Sequence, residues 1–275
     1  TKPTFEGKIL HIEDMYYRIG EGHKEYIPDK TVDEEFRLLT IAAICDECRN
    51  CGFYEGNIYL AVGCPTAMLK AQREGTREYF MSSPHIDCEY NNVHYHLTIV
   101  GCFVYPQGYA AVTEYLHNMT GVNMVVDIGN GTANILQINN KKPIEEKCVT
   151  EKLGVNQYMI AVQKAVMAAY GKKIDPEVVE LFIRNGDTSI SDNYKNIFRE
   201  EAEKYCRKIF DALYRCEYDP DFMKLYVCGG GVKLIRRFGN YRSDRVIFID
   251  NICETAKGYQ QFALKSLKAL EKRPE

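Results

Sequence analysis

The chain has 275 residues, 45% hydrophobic and 27% charged, enough to bury one large core or two modest ones. A formal net charge of −3 gives no basic footprint, so direct nucleic-acid binding is not expected. No apolar run approaches the ~20 residues a membrane span needs.

Eleven cysteines, odd in number and irregular in spacing, read as buried small hydrophobes in a reducing cytoplasm rather than as a disulfide framework. The opening Thr1-Lys2-Pro3 carries no secretory pattern and reads as continuing from an upstream piece. Lys8–Ile12 and Met15–Ile19 flank Glu13-Asp14, which predicts a hairpin closed by Gly20 and Gly22. A helix is predicted over Asp33–Asn50, ended by Gly52, with Phe36, Leu39, Ala43 and Cys48 on one face. Within it Cys45, Cys48 and Cys51 have a spacing that could ligate zinc or an iron–sulfur cluster. No fourth ligand follows at metal-site spacing, so helix packing with incidental thiols is expected.

Ile58–Val62 is an apolar run ending at Gly63 and Pro65, as in a buried strand that opens on a loop. Met68–Phe80 reads as a polar helix, and Asp87 as part of a polar loop. Val93–Val104 reads as a strand on which His94 and His96 alternate with apolar residues and so face outward. Pro106-Gln107-Gly108 breaks it, and a short helix is predicted over Tyr109–Asn118. Beyond lie strands at Val125–Ile128, Ile135–Ile138 and Glu145–Thr150, a turn at Gly154 and a helix over Tyr158–Tyr170 ended by Gly171. Asp175-Pro176 opens a helix as N-cap and first-turn proline and runs to Gly186; Asn193–Tyr214 is a long charged helix. Lys224–Cys228 runs into Gly229-Gly230-Gly231, Arg245–Ile249 is the last strand and Thr255–Leu270 the last helix. Alternating strands and helices place the chain in the α/β class.

Two glycine clusters carry the chemistry. In VVDIGNGTANIL, Asp127 ends an apolar strand, where a carboxylate is costly unless a cation or hydrogen-bond donor meets it. Gly129, Asn130, Gly131 and Thr132 follow, offering backbone N–H groups without bulk, as a phosphate nest does. The pattern is strand–turn–strand, unlike a Walker loop or a dinucleotide fingerprint, which run into a helix. A carboxylate beside a phosphate cradle suits Mg2+ held largely through water. The bland reading is a tight hairpin whose Asn and Gly permit positive φ. The second cluster shifts that balance, because three successive glycines cost conformational entropy and favour close approach of the backbone to a flat or anionic group.

Together these features resemble the actin-like ATPase superfamily, and within it the bacterial plasmid-segregation actins called ParM or StbA. The resemblance rests on Leu60–Pro65, Val104–Ala111, Asp127–Thr132, Leu153-Gly154-Val155 and Cys228–Val232, in that order along nearly the whole chain. It implies an actin-like (ribonuclease H-like) two-domain ATPase fold, with 1–118 as the remainder of domain I and 119–275 as domain II. It implies ATP or ADP with Mg2+ bound between two halves of the molecule. Asp127 would hold the metal through water, Gly129–Thr132 would meet the β- and γ-phosphates, and Gly154 would lie beside them. Gly229, Gly230 and Gly231 would approach the α-phosphate and adenosine, and Gln107 would orient the lytic water, an amide being too weak a base to abstract its proton. It further implies nucleotide-dependent filaments in plasmid or DNA segregation, with a DNA-binding adaptor as partner and no membrane association. The family's first phosphate loop, an N-terminal glycine-rich hairpin, has no counterpart before Lys8, and Asn134 stands where many relatives carry an acid. A nucleotide-binding scaffold without turnover and a monomeric kinase are the alternatives on the same fold.

Overall fold

The computed structural model describes residues 7–20, 27, 30–187 and 189–272, so Gly22 of the expected hairpin closure lies outside the described residues. The chain divides into two compact units, Thr1–Cys64 with Leu69–Tyr105, and Pro65–Met68 with Pro106–Glu275.

The first unit is built on a five-stranded sheet. Its strands β1 (Lys8–Ile12), β2 (Met15–Ile19), β3 (Glu55–Cys64), β4 (His85–Tyr90) and β5 (Val93–Pro106) lie in the order β2-β1-β4-β5-β3. Helix α1 (Glu34–Cys51) follows the first hairpin, and α2 (Leu69–Met81) follows β3. Asp33 stands at the N-cap position of α1 without a side-chain capping bond, and Gly52, at φ +67°, ends the helix in the left-handed conformation that a residue without Cβ adopts at no steric cost. The buried face of α1 is Ile41, Ala42 and Cys45, with Leu38 partly buried; Leu39 and Ala43 point to solvent, a correction to the predicted face by one helical position. Asp87 is likewise corrected, from a loop into β4. There Ile86, Cys88 and Tyr90 point inward while His85, Asp87 and Glu89 alternate with them. Asn91 and Asn92, at φ +50° and +64°, make the two-residue turn into β5, a conformation Asn tolerates and right-twisted hairpins require. His94 and His96 do face outward, beside Glu89 and Asp87.

The second unit holds a sheet of β6 (Val122–Ile128), β7 (Ala133–Asn139), β8 (Lys142–Glu151), β9 (Lys224–Gly229) and β10 (Val246–Phe248), ordered β10-β9-β6-β7-β8. β6, β7 and β8 form an antiparallel meander; β9 joins β6 in parallel and β10 joins β9 in parallel. A parallel neighbour requires a crossover, and α3 (Val155–Tyr170), α4 (Pro176–Asn185) and α5 (Asp192–Arg215) supply it. Next come α6 (Val232–Phe238) and α7 (Glu254–Glu271). Asp175 caps α4 by accepting from the Glu177 N–H at 2.9 Å, with Pro176 in the first turn. The predicted helix at 109–118 is a 3-10 helix, Ala110–Asn118, and Arg245 belongs to a 3-10 turn rather than to the last strand.

β6 is buried on both sides. Met124, Val126 and Ile128 pack with Ile135 against α3 and α5, while Val125, Leu136 and Ile138 pack with Val112 and Ile249 on the other face. That is why these strands read as continuous apolar runs rather than as alternation.

Candidate functional site

All ten residues singled out in the sequence fall in the second unit, around the ends of β6 and β9. Asp127 stands in register with Cys228 of β9 and Asn134 of β7. Its neighbour Cys228 is fully buried, and its thiol is held well above its usual range, first by burial and then by the Asp127 carboxylate. Asn134 does not replace the expected acid chemically, since its Oδ1 accepts from the Thr150 hydroxyl at 2.9 Å within the sheet.

The loop between β6 and β7 is closed by the Gly129 N–H donating to the Thr132 carbonyl at 2.8 Å. Helix α3 begins at Val155, three residues before the predicted start, because its first turn is used to hold this loop. The N–H groups of Gly154, Val155 and Asn156 donate to the carbonyls of Gly131, Gly129 and Asn130 at 3.3, 3.0 and 2.9 Å. A helix N-terminus normally leaves such donors unsatisfied inside the element. Gly154 is glycine for a steric reason, since a Cβ there would fall on the Asn130 carbonyl oxygen. With its carbonyls turned toward α3, the loop leaves the Gly131 N–H without a backbone acceptor among the described residues.

The three glycines after β9 are not equivalent. Gly229 has φ +82°, and a Cβ there would come within 2.6 Å of Asp127 Oδ1. A Cβ on Gly231 would enter the Ile128 side chain, and the Gly231 N–H donates to the Ile128 carbonyl at 3.2 Å. Both are required by the fold. Gly230 is exposed, and a Cβ on it would meet nothing nearer than the Ile128 carbonyl oxygen at 3.8 Å and Val155 at 3.9 Å. Its N–H has no backbone acceptor among the described residues. Internal packing therefore explains two of the three glycines and leaves the bare backbone of the middle one facing outward.

Gln107 follows Pro106, and its carbonyl accepts from the Thr66 hydroxyl at 2.6 Å and from the Tyr109 N–H at 2.8 Å. Gly108, at φ +75°, lies against the strands: its Cβ would stand 2.6 Å from Leu136 Cδ1 and 3.4 Å from Asp127 Cβ. Thr66, Gly108 and Asn156 hold the site in place but were not singled out from the sequence. For Gly108 the signal was present in Pro-Gln-Gly, where a glycine ends a strand that has to turn. For Thr66 and Asn156 there was none, because their partners lie far away in the chain.

The arrangement can receive an anion at Gly131 and Gly230, with one carboxylate nearby. Among the described residues no group of three or more His, Cys, Asp or Glu side chains is placed to hold a metal ion. Asp127 alone suits a cation that keeps most of its water, as Mg2+ does beside phosphate oxygens.

The family profile described as "Archaeal actin homologue MreB-like, C-terminal" matches residues 125–238, from β6 through α6. Among solved structures, the chain is similar to Ta0583, an archaeal actin homologue, with a TM-score of 0.75 and 18% identity over 96% of this chain and 90% of that one. It is also similar to a Bacillus thuringiensis ParM solved with ATP (TM-score 0.61, 14% identity, 93% of this chain and 79% of that one). The Alp12 filament structure gives a TM-score of 0.62 and 16% identity over 96% and 85%. No curated protein matches the chain in sequence. The fold is the actin-like fold. No helix among the described residues is long and apolar enough to cross a membrane.

Proposed function

We propose that this chain is an ATP-binding actin-like protein that assembles into filaments according to its nucleotide state. The observation that carries the reading is the convergence of Asp127, the Gly129–Thr132 loop and the bare Gly230 backbone around the ends of two adjacent parallel strands. The Gly131 and Gly230 N–H groups would bind phosphate oxygens, and Thr132 would add its hydroxyl. Gly129, Asn130 and Gly154 would set the shape of that cradle, with Gly229 and Gly231 holding the adenosine side open. Mg2+, when bound, would neutralise phosphate charge, and Asp127 is the carboxylate that would hold it through water. Gln107, fixed through its carbonyl by Thr66, would orient a water for attack on the terminal phosphate. Residues 1–118 would be the remainder of the first actin-like domain and 119–275 the second.

The likeness to an archaeal actin homologue solved with ADP, to a ParM solved with ATP and to the Alp12 filament supports this reading. A contact that does not close on itself extends without limit, and a nucleotide can bias it only through different affinities for two arrangements. A role in plasmid or DNA segregation in the cytoplasm, through a DNA-binding adaptor, is the finer form of the proposal. The test is sedimentation with ATP, a non-hydrolysable analogue and ADP, alongside direct measurement of nucleotide binding. A pellet with ATP or the analogue and little with ADP is expected. Tight ATP binding with soluble monomer in all three conditions would instead establish the scaffold reading, and absence of nucleotide binding would overturn both.

A further inference from the structure

Away from the glycine loops, toward the opposite end of β7, the second sheet is interrupted. Leu136 pairs with Cys148, whereas Ile138 pairs with Pro143, so residues 144–147 bulge out of the ladder opposite Gln137. The bulge is closed on itself by the Cys148 thiol, which donates to the Ile144 carbonyl at 3.3 Å. An open pocket of about 480 Å3 lies there, within the size range of small-molecule sites.

Gln137 lines this pocket on the face of β7 that also carries Ala133 and Ile135, and it is only 3% exposed. Its side-chain amide has no hydrogen-bond partner among the described residues. It is not among the side-chain groups cut off from solvent without a partner, so its polar atoms open on the pocket and can exchange hydrogen bonds with what enters it. The walls are apolar and partly aromatic: Val122, Tyr218, Phe222 and Met223. Phe222 is 60% exposed, a large apolar ring standing at the opening. Two of the three charges at the rim neutralise one another. Lys147 and Glu217 pair at 2.6 Å, and Asp219 Oδ1 accepts from the Asp221 N–H at 2.8 Å.

We propose that this pocket binds a neutral planar lactam, a ring bearing an N–H beside a C=O, as in uracil-type bases and cyclic imides. A carboxamide offers a donor and an acceptor side by side, and such an edge exchanges two hydrogen bonds with it. The Tyr218 and Phe222 rings and the Met223 thioether suit the ring faces of the ligand. With Lys147 and Glu217 neutralising one another, Asp219 leaves the rim net negative, which selects against an anion. This site is independent of the nucleotide proposal, since it shares no residue with the glycine loops.

The experiment is NMR on the 15N-labelled chain, with uracil as probe and the Gln137 side-chain NH2 signal, identified by its loss in Gln137→Leu, as readout. Uracil is expected to shift that signal saturably, and 1,3-dimethyluracil, which lacks the N–H groups, to bind at least tenfold more weakly. Followed through the surrounding backbone signals, Gln137→Leu is expected to bind uracil at least tenfold more weakly. No saturable shift up to the solubility of uracil, equal binding of the dimethyl compound, or full affinity in the Leu variant would overturn the proposal. The comparison of the two probes on the unmodified chain, followed through the backbone signals of Lys147, Tyr218 and Phe222, decides the matter even if the variant fails to fold.

Discussion

The two sheets solve the same burial problem differently. In the first, β4 and β5 alternate buried and exposed residues, so the sheet has an outward face carrying His94, His96, Asp87 and Glu89. In the second, β6 and β7 are buried on both faces along nearly their whole length. A sheet covered on both sides can bring polar groups to solvent only where its strands end. Asp127 and the glycine loops sit at such ends. The one-sided sheet can carry charge anywhere along its outer face, and its polar residues there form exposed pairs of little energetic weight.

The sharpest way to break this comparison is a truncation inside the doubly covered sheet. Ile135→Ala, in a site of 0% exposure between two packed layers, should cost about 2–5 kcal/mol in denaturant unfolding. A cost no larger than that of a surface substitution would mean that the second sheet is not the rigid element described. Next in size is Asp127→Ala, expected to lower Mg2+-dependent phosphate release roughly 100-fold, the loss typical of a group that acts on a metal through its outer shell. Unchanged turnover in a folded variant would remove Asp127 from the metal site.

A third test separates the glycines. Gly230→Val should weaken ATP binding about tenfold or more and leave the melting temperature nearly unchanged, because the fold has room for the side chain. Gly231→Ala should do the reverse first, lowering the melting temperature through its clash with Ile128. If both variants lose stability equally, the distinction drawn between them fails. The smallest effect is expected at His94→Ala on the outward face of β5, within about 0.5 kcal/mol of the parent by the same unfolding measurement.

Much of the second sheet was legible because burial on both sides writes a continuous apolar run, and glycines mark where the strands stop. β4 was not. His85, Asp87 and Glu89 fill every other position, and over so short a span the alternating polar side chains outweigh the three apolar ones that anchor the strand. The phase of α1 was misread for a related reason. Leu38 and Leu39 both fit a helical stripe, and only the sheet beneath it decides for Leu38, Ile41, Ala42 and Cys45. At the site, the residue types and their order drew attention to loops that the fold sets at the ends of adjacent strands. Which glycines serve the fold and which lies bare depends on Ile128 and Asp127 pressing from a neighbouring strand, a matter of tertiary contact. The vacant amide of Gln137 was equally hidden, since it follows from a bulge in a different strand.

The contacts between α3 and the β6–β7 loop have a kinetic consequence. Backbone amides at the start of a helix usually exchange with deuterium quickly, because no intrahelical carbonyl protects them. Here the amides of Gly154, Val155 and Asn156 are tied to loop carbonyls, so they can exchange only when the loop itself opens. Their exchange rates are thus a clock for loop opening. A ligand that immobilises the loop would slow all three together, including those on residues it never touches.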